Sequence, residues 1–168
     1  HPILTDRIYE LADQPVRHPW LNVRKCPVIL SVGALSWQKN HEYLIRAFGM
    51  LRAEMPVKLI IVGEGSNERK LKEQVGALSL EGDVDFVGYK DNPYQYMKQC
   101  DLFVLSSRYE GLPGVLIEAI ALAPRVVATD CEGGSREVLA SGEIGALVPL
   151  DDVCQFAQTM NKSLLKKT

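Results

Sequence analysis

The sequence predicts an α/β fold, a parallel sheet with helices packed on both faces, and three observations predict it. Short runs rich in Val, Ile and Leu alternate along the chain with stretches of helical periodicity. The clearest of those runs, Leu102 to Leu105, is apolar throughout, as a strand buried on both faces must be. Several of the runs end directly in glycine, as in Val32-Gly33, Val62-Gly63 and Val87-Gly88. Together they describe a doubly wound, Rossmann-like sheet in which every strand's C-terminal end lies on one rim, where such folds bind ligands.

Taken in order, residues 1–27 form a lead-in broken by Pro2, Pro15, Pro19 and Pro27. Thr5 is placed to cap a short turn over Asp6 to Leu11, and the remainder reads as extended. The strand Val28 to Gly33 follows, then a polar loop from Ala34 to Asn40, then a helix with Leu44, Ile45, Phe48 and Leu51 on one face. Val57 to Gly63 is the second strand, and Asn67 to Ala77 a helix with Leu71 and Val75 inward. Val84 to Val87, a short helix over Asn92 to Cys100, and the strand Leu102 to Leu105 come next. Pro113 and Gly114 open a helix that carries Glu118 about one turn in. Arg125 to Ala128, a brief helix around Ser135 to Leu139, Gly145 to Val148 and a closing helix between Asp151 and Lys167 complete the domain, residues 28–168.

Composition narrows the function classes. The chain has 168 residues, 46% of them apolar and 24% charged, enough for one well-buried domain and too few for two. A net charge of −2 gives no broad attraction to nucleic acid or anionic lipid. No apolar run approaches the ~20 residues that span a bilayer, and no leader is visible, which points to a cytoplasmic location. An initial His rather than Met suggests a piece of a longer chain. Cys26, Cys100, Cys131 and Cys154 lie far apart without a C-x-x-C, so reduced thiols are expected rather than disulfides or zinc.

Site candidates are the residues that follow each strand. Neither G-x-G-x-x-G nor a P-loop is present, which removes the main support for nicotinamide cofactors and ATP hydrolysis. Lys39, in Gln38-Lys39-Asn40, is either a surface lysine at a helix start or a point charge for phosphates. Glu110 is either a solvated loop acid or a helix-end acid, and it stands beside a turn and helix start suited to anions. Glu118 lies in a run of Val, Leu, Ile and Ala and needs a partner if buried. Gly133-Gly134-Ser135 either approaches a ligand or caps a helix with Ser135. Two carboxylates bracketing an anion site suggest a ligand that carries both phosphates and sugar hydroxyls.

In this order and spacing, six segments resemble the group 1 family of retaining glycosyltransferases, specifically the donor-binding C-terminal half of the two-domain GT-B architecture. They are Val32 to Phe48 (V-G-x-L-x-x-Q-K-N-H), Val62 to Gly65, Phe86 to Tyr89, Ser106 to Ala119, Ala128 to Glu137 and Gly145 to Pro149. The core of the pattern is Glu, seven residues, Glu, here Glu110 and Glu118. The resemblance implies a nucleotide-diphospho-sugar donor, such as a UDP- or GDP-sugar, and no metal cofactor. It implies transfer to an acceptor hydroxyl in polysaccharide or glycolipid synthesis. It gives Glu110 the donor sugar's hydroxyls and Lys39 the diphosphate. Gly111, Leu112, Gly114 and Val115 would serve the sugar and diphosphate, and Glu118 the ribose. Gly33, Gly63, Glu64, Gly65, Gly88 and Tyr89 would line the nucleoside pocket.

Two departures follow from the same comparison. The family commonly has Arg after the glycine that ends the first strand, where this chain has Ala34, so half the cationic clamp is absent and Arg108 is the candidate to replace it. The family's N-terminal acceptor domain is also absent, and it would supply the acceptor sugar or lipid-linked sugar site and any membrane contact. Residues 1–27 would then come from the interdomain region, and the piece alone would bind donor weakly and transfer little. Alternatives are a non-catalytic nucleotide-sugar-binding module or a sugar-nucleotide epimerase.

Overall fold

A computed structural model describes residues 3–166. Pro2 and Lys167, assigned above to the lead-in and the closing helix, lie outside them. The elements in order are α1 (Asp6–Ala12), α2 (Pro19–Asn22), β1 (Val28–Val32), α3 (His41–Glu54), β2 (Lys58–Val62), α4 (Glu68–Ala77), β3 (Val84–Gly88) and α5 (Tyr94–Gln99). They continue with β4 (Leu102–Leu105), α6 (Gly114–Leu122), β5 (Val126–Thr129), α7 (Ser135–Val138), β6 (Ala146–Val148) and α8 (Val153–Leu165).

The six strands form one sheet in the order β3-β2-β1-β4-β5-β6. Every neighbouring pair is parallel. The doubly wound expectation is therefore met, and the order reverses between β1 and β4, where Ile29 stands opposite Leu102 and Leu30 opposite Phe103. Period-2 alternation divides the strand side chains between two cores. Ile29, Leu59, Ile61, Leu102 and Val104 pack with Leu44, Phe48, Leu51, Leu71, Phe156 and Met160 from α3, α4 and α8. Leu30, Ile60, Phe103 and Leu105 pack with Met97, Leu116, Ala119 and Leu139 on the other face. Burial of this kind contributes about 25 cal/mol per Å² of apolar surface, which makes the sheet the rigid base of the rim above it.

Three local expectations change. The lead-in is not extended throughout after the expected turn, which is α1: α2 interrupts it, with Pro19 at the first helical position, where its missing N–H costs nothing. His18 caps this turn through Nδ1 and its Nε2 meets Asp85 Oδ2 at 2.7 Å, so the segment is fastened to β3. Ser135 is not an N-cap. Gly134 holds that position, and Ser135 is buried inside the first turn of α7, near Cys131. Thr5 occupies the N-cap of α1 but makes no side-chain cap bond.

Candidate active site

Where the strand order reverses, the loops after β1 and β4 face one another across the rim, which is where an open parallel sheet leaves a crevice. The two loops are laced together. The Arg108 amide donates to Gln38 O (2.8 Å), the Gln38 amide group donates to Tyr109 O (3.1 Å), and Ser106 Oγ donates to Lys39 O (2.7 Å). This lacing brings Lys39 to Glu110, 71 residues away in sequence: Nζ to Oε1 is 2.7 Å. Ser107 Oγ donates to the same oxygen at 2.6 Å. The Glu110 side chain is 6% exposed and that of Lys39 19%, so the pair is largely withdrawn from water. Oε2 of Glu110 accepts no bond among the described residues. The carboxylate is therefore anchored by one oxygen and presents the other.

Beneath the pair, Thr129 Oγ1 donates to Ser107 O at 2.7 Å. The loop after β5 closes in from the side, with the Glu110 amide donating to Glu132 O at 2.9 Å. Gly133, at φ +116°, makes this approach possible, because a Cβ there would lie 1.5 Å from Glu110 O. The Gly-Gly-Ser stretch thus buttresses the Glu110–Gly111 backbone, while Gly134 takes the N-cap of α7. The glycines after β2 act likewise. A Cβ at Gly63 would fall 2.0 Å from Gly33 O, and one at Gly65 2.5 Å from Leu35 O. Their missing side chains make room for the neighbouring loop.

Next comes α6, nine residues long, whose first amides point at the rim. The amides of Gly111, Leu112 and Val115 make no backbone hydrogen bond among the described residues, whereas Gly114 N–H donates to Leu112 O at 2.8 Å. One turn further on, half-buried Glu118 lies beside Tyr94. Burial, and then that adjacent carboxylate, push the Tyr94 phenol up to about 12, with Tyr89 nearby. Tyr94 is thus the neighbour that the Glu118 carboxylate required. Tyr89 and Leu112 stand exposed on either side, at 65% and 71%.

Beyond this line, Glu64 is exposed and Gly88 adopts φ +78° in open space. Arg108 sets its guanidinium 4.5 Å from the Trp37 ring. Among the described residues no three His, Cys, Asp or Glu side chains gather as a metal site, and no helix is long and apolar enough to cross a membrane.

The sequence model of the family described as glycosyl transferases group 1 matches residues 15–167. This chain belongs to that family.

Among curated group 1 relatives, an uncharacterized glycosyltransferase of Methanocaldococcus jannaschii is 38% identical over 136 residues, which are 80% of this chain and 34% of the relative. N-acetylgalactosamine-N,N'-diacetylbacillosaminyl-diphospho-undecaprenol 4-alpha-N-acetylgalactosaminyltransferase of Campylobacter jejuni is 43% identical over 136 residues, 81% of this chain and 37% of that protein. The chain thus spans about a third of the length of the curated relatives it matches. Among solved structures, Anabaena HepE in complex with UDP and glucose superposes with a TM-score of 0.78 at 27% identity, over 96% of this chain and 43% of that one. The fold is that of GT-B glycosyltransferase structures, and the matched share fits a C-terminal domain.

Set against the group 1 pattern, Glu110 and Lys39 converge and Glu118 follows along α6. Ala34, in the position of the usual Arg, is exposed. Sequence reasoning placed Ser107 and Thr129 among the residues that follow strands but gave them no role, and it missed Tyr94 as a neighbour of Glu118. Ser107 carried a signal, since it precedes Glu110 by three residues in a turn. Thr129 carried the signal of standing at the end of a strand, whereas Tyr94 carried none, because only the packing of α5 beside α6 brings it near.

Proposed function

We propose that this chain is the donor-binding domain of a retaining, metal-independent glycosyltransferase that moves a sugar from a nucleotide-diphospho-sugar to an acceptor hydroxyl. The observation that carries this reading is the Lys39–Glu110 pair, 2.7 Å apart at the reversal of strand order and next to the start of α6. A leaving nucleoside diphosphate gathers negative charge as its bond to the sugar breaks. A pre-placed ammonium and open helix-terminal amides stabilise that charge without reorganising. Lys39 keeps N–H donors beyond the one given to Glu110, and these serve the phosphates. Glu110 stays fixed through Oε1 and turns Oε2 to the sugar hydroxyls. Gly111, Leu112 and Val115 offer amides to the sugar and diphosphate. Glu118, steadied by Tyr94, takes the ribose hydroxyls, and Gly88, Tyr89 and Gly63 to Gly65 flank the base. That Anabaena HepE is described with UDP supports a uridine donor.

The name of the Campylobacter relative supports an acceptor that is itself a sugar on a lipid diphosphate. An acceptor domain outside this chain would complete that site, in a full-length enzyme that works in the cytoplasm or at the membrane face. Ala34 favours a second reading, a module that binds donor without transferring it, since half the family's cationic clamp is replaced by a methyl group.

Calorimetric titration with UDP, GDP and ADP, with and without Mg²⁺, tests the proposal. One nucleotide is expected to bind at sub-millimolar concentration with the same affinity in EDTA. Absence of binding by all three at millimolar concentration would end it. Slow hydrolysis of the matching nucleotide-sugar by the chain would reject the binding-only reading.

A further inference from the structure

A second concentration of charge lies on the same rim. A cavity of about 360 Å³ opens between the first turns of α3 and α8, and Tyr43, Arg46, Arg108 and Asp151 line it. Arg108 Nη1 is buried there without a hydrogen-bond partner among the described residues. An unmet guanidinium N–H in the interior is costly, and folded proteins normally pair such groups. The contact with the Trp37 ring, 4.5 Å from its centroid, satisfies none of the guanidinium's N–H groups. Neither Arg46 nor Arg108 makes a salt bridge among the described residues. Asn40, at the N-cap of α3, makes no side-chain cap bond, so that positive helix end is open as well.

The acidic groups of the wall do not cancel these charges. Glu42 leans to Lys70 at 3.6 Å, which leaves Asp151 as the uncommitted carboxylate. Two planar cations suit a phosphate or carboxylate, which accept a guanidinium's parallel N–H pair. A single carboxylate beside them suits hydroxyls. The combination describes an acidic sugar. The pocket also adjoins the Lys39–Glu110 site, since the Arg108 amide is bonded to Gln38 O, one residue from Lys39.

We propose that this pocket holds the acidic group, phosphate or carboxylate, of the acceptor glycoside, with Arg46 and Arg108 as its anion ligands. The inference rests on the glycosyltransferase reading. It assigns Arg108 to the acceptor's charge rather than to the donor diphosphate.

Trp37 reports on the site. The chain has two tryptophans, so Trp20→Phe leaves Trp37 as the sole emitter. Its emission is followed as inorganic phosphate or glucuronate is added, and the better of the two identifies the acidic group. A saturable change is expected, weakened roughly tenfold or more in Arg46→Gln. Asp151→Asn is expected to tighten phosphate binding, and UDP affinity to be unchanged in Arg46→Gln. No saturable response to either anion, indifference to both substitutions, or abolition of the response by saturating UDP would overturn the proposal. The last result would mean that the anion had entered the donor site. Failure of UDP to bind, with the phosphate response intact and dependent on Arg46, would instead end the donor reading and leave this anion site standing.

Discussion

The two ends of the sheet treat their ion pairs differently. At the N-terminal end of the strands, Asp83 gives one oxygen to Lys58 at 2.8 Å and the other to Arg52 at 3.2 Å. Burial alone would raise its carboxyl, but these two cations hold it below the usual range. Asp83 thus has a cation at each oxygen, although the Arg52 contact is an ion pair without hydrogen-bond geometry, and the cluster ties β2 and α3 to the turn before β3. At the C-terminal end, Glu110 takes Lys39 and Ser107 on a single oxygen and leaves the other unmet beside the open amides of Gly111 and Leu112. A closed cluster spends its hydrogen-bonding capacity on the fold; an open one keeps capacity for a third body. The contrast therefore separates stability from binding, and substitutions at the two ends should separate them too.

The largest expected effect strikes the support of the open pair. Gly133→Ala places a Cβ 1.5 Å from Glu110 O at a φ that L-residues rarely adopt. A loss of ~2–4 kcal/mol in urea denaturation is expected, with nucleotide binding lost at temperatures where the variant remains folded. Next comes pH. Burial, and then the charge of Lys39, lower the His41 imidazole to about 4 from 6.5. The folded state therefore binds fewer protons than the unfolded chain between those values. The stability due to neutral His41 is complete above about 6.5 and drains away, by up to ~3 kcal/mol, as the pH falls toward 4. Denaturation midpoints measured across that range should show the slope in the native chain and a flatter one in His41→Gln. A smaller and purely local effect is expected from Glu118→Ala. Loss of its hydrogen bonds, worth ~1.5–3 kcal/mol each, should weaken nucleotide binding about ten- to a hundredfold in calorimetry, with little change in Tm.

Much of this was legible from residue order. Leu102–Leu105 is a strand with the boundaries its apolar run suggests, and the Pro113-Gly114 pair does open α6. Burial on both faces leaves its mark on the central strands β1, β2, β4 and β5, so the sheet class could be read from them. Pro19-Trp20-Leu21-Asn22 was not legible as a helix because one turn is too short to show a period, and its proline looked only like a breaker. Ser135 misled because Ser before an acidic residue resembles a cap, whereas the glycine ahead of it took that place. At the site, the pattern of Glu110 and Glu118 could be read, but their partners could not. Ser107 and Arg108 are neighbours in sequence, yet one points to Glu110 and the other to Trp37, a choice made by the lacing of two loops. At Gly63 and Gly133 the sequence could not show that the missing side chain makes room for another loop's backbone.

The contrast between the open and the closed pair is tested most directly by UDP calorimetry on Lys39→Ala and Asp83→Asn side by side. Lys39→Ala should lower UDP affinity tenfold or more, for a lost charge-assisted contact of ~1.5–3 kcal/mol, at temperatures where the variant remains folded, and should also lower Tm because Glu110 loses its cation. Asp83→Asn should lower Tm and leave UDP affinity within about twofold. Equal UDP affinity in Lys39→Ala and the native chain would contradict the assignment of the rim pair to the donor diphosphate.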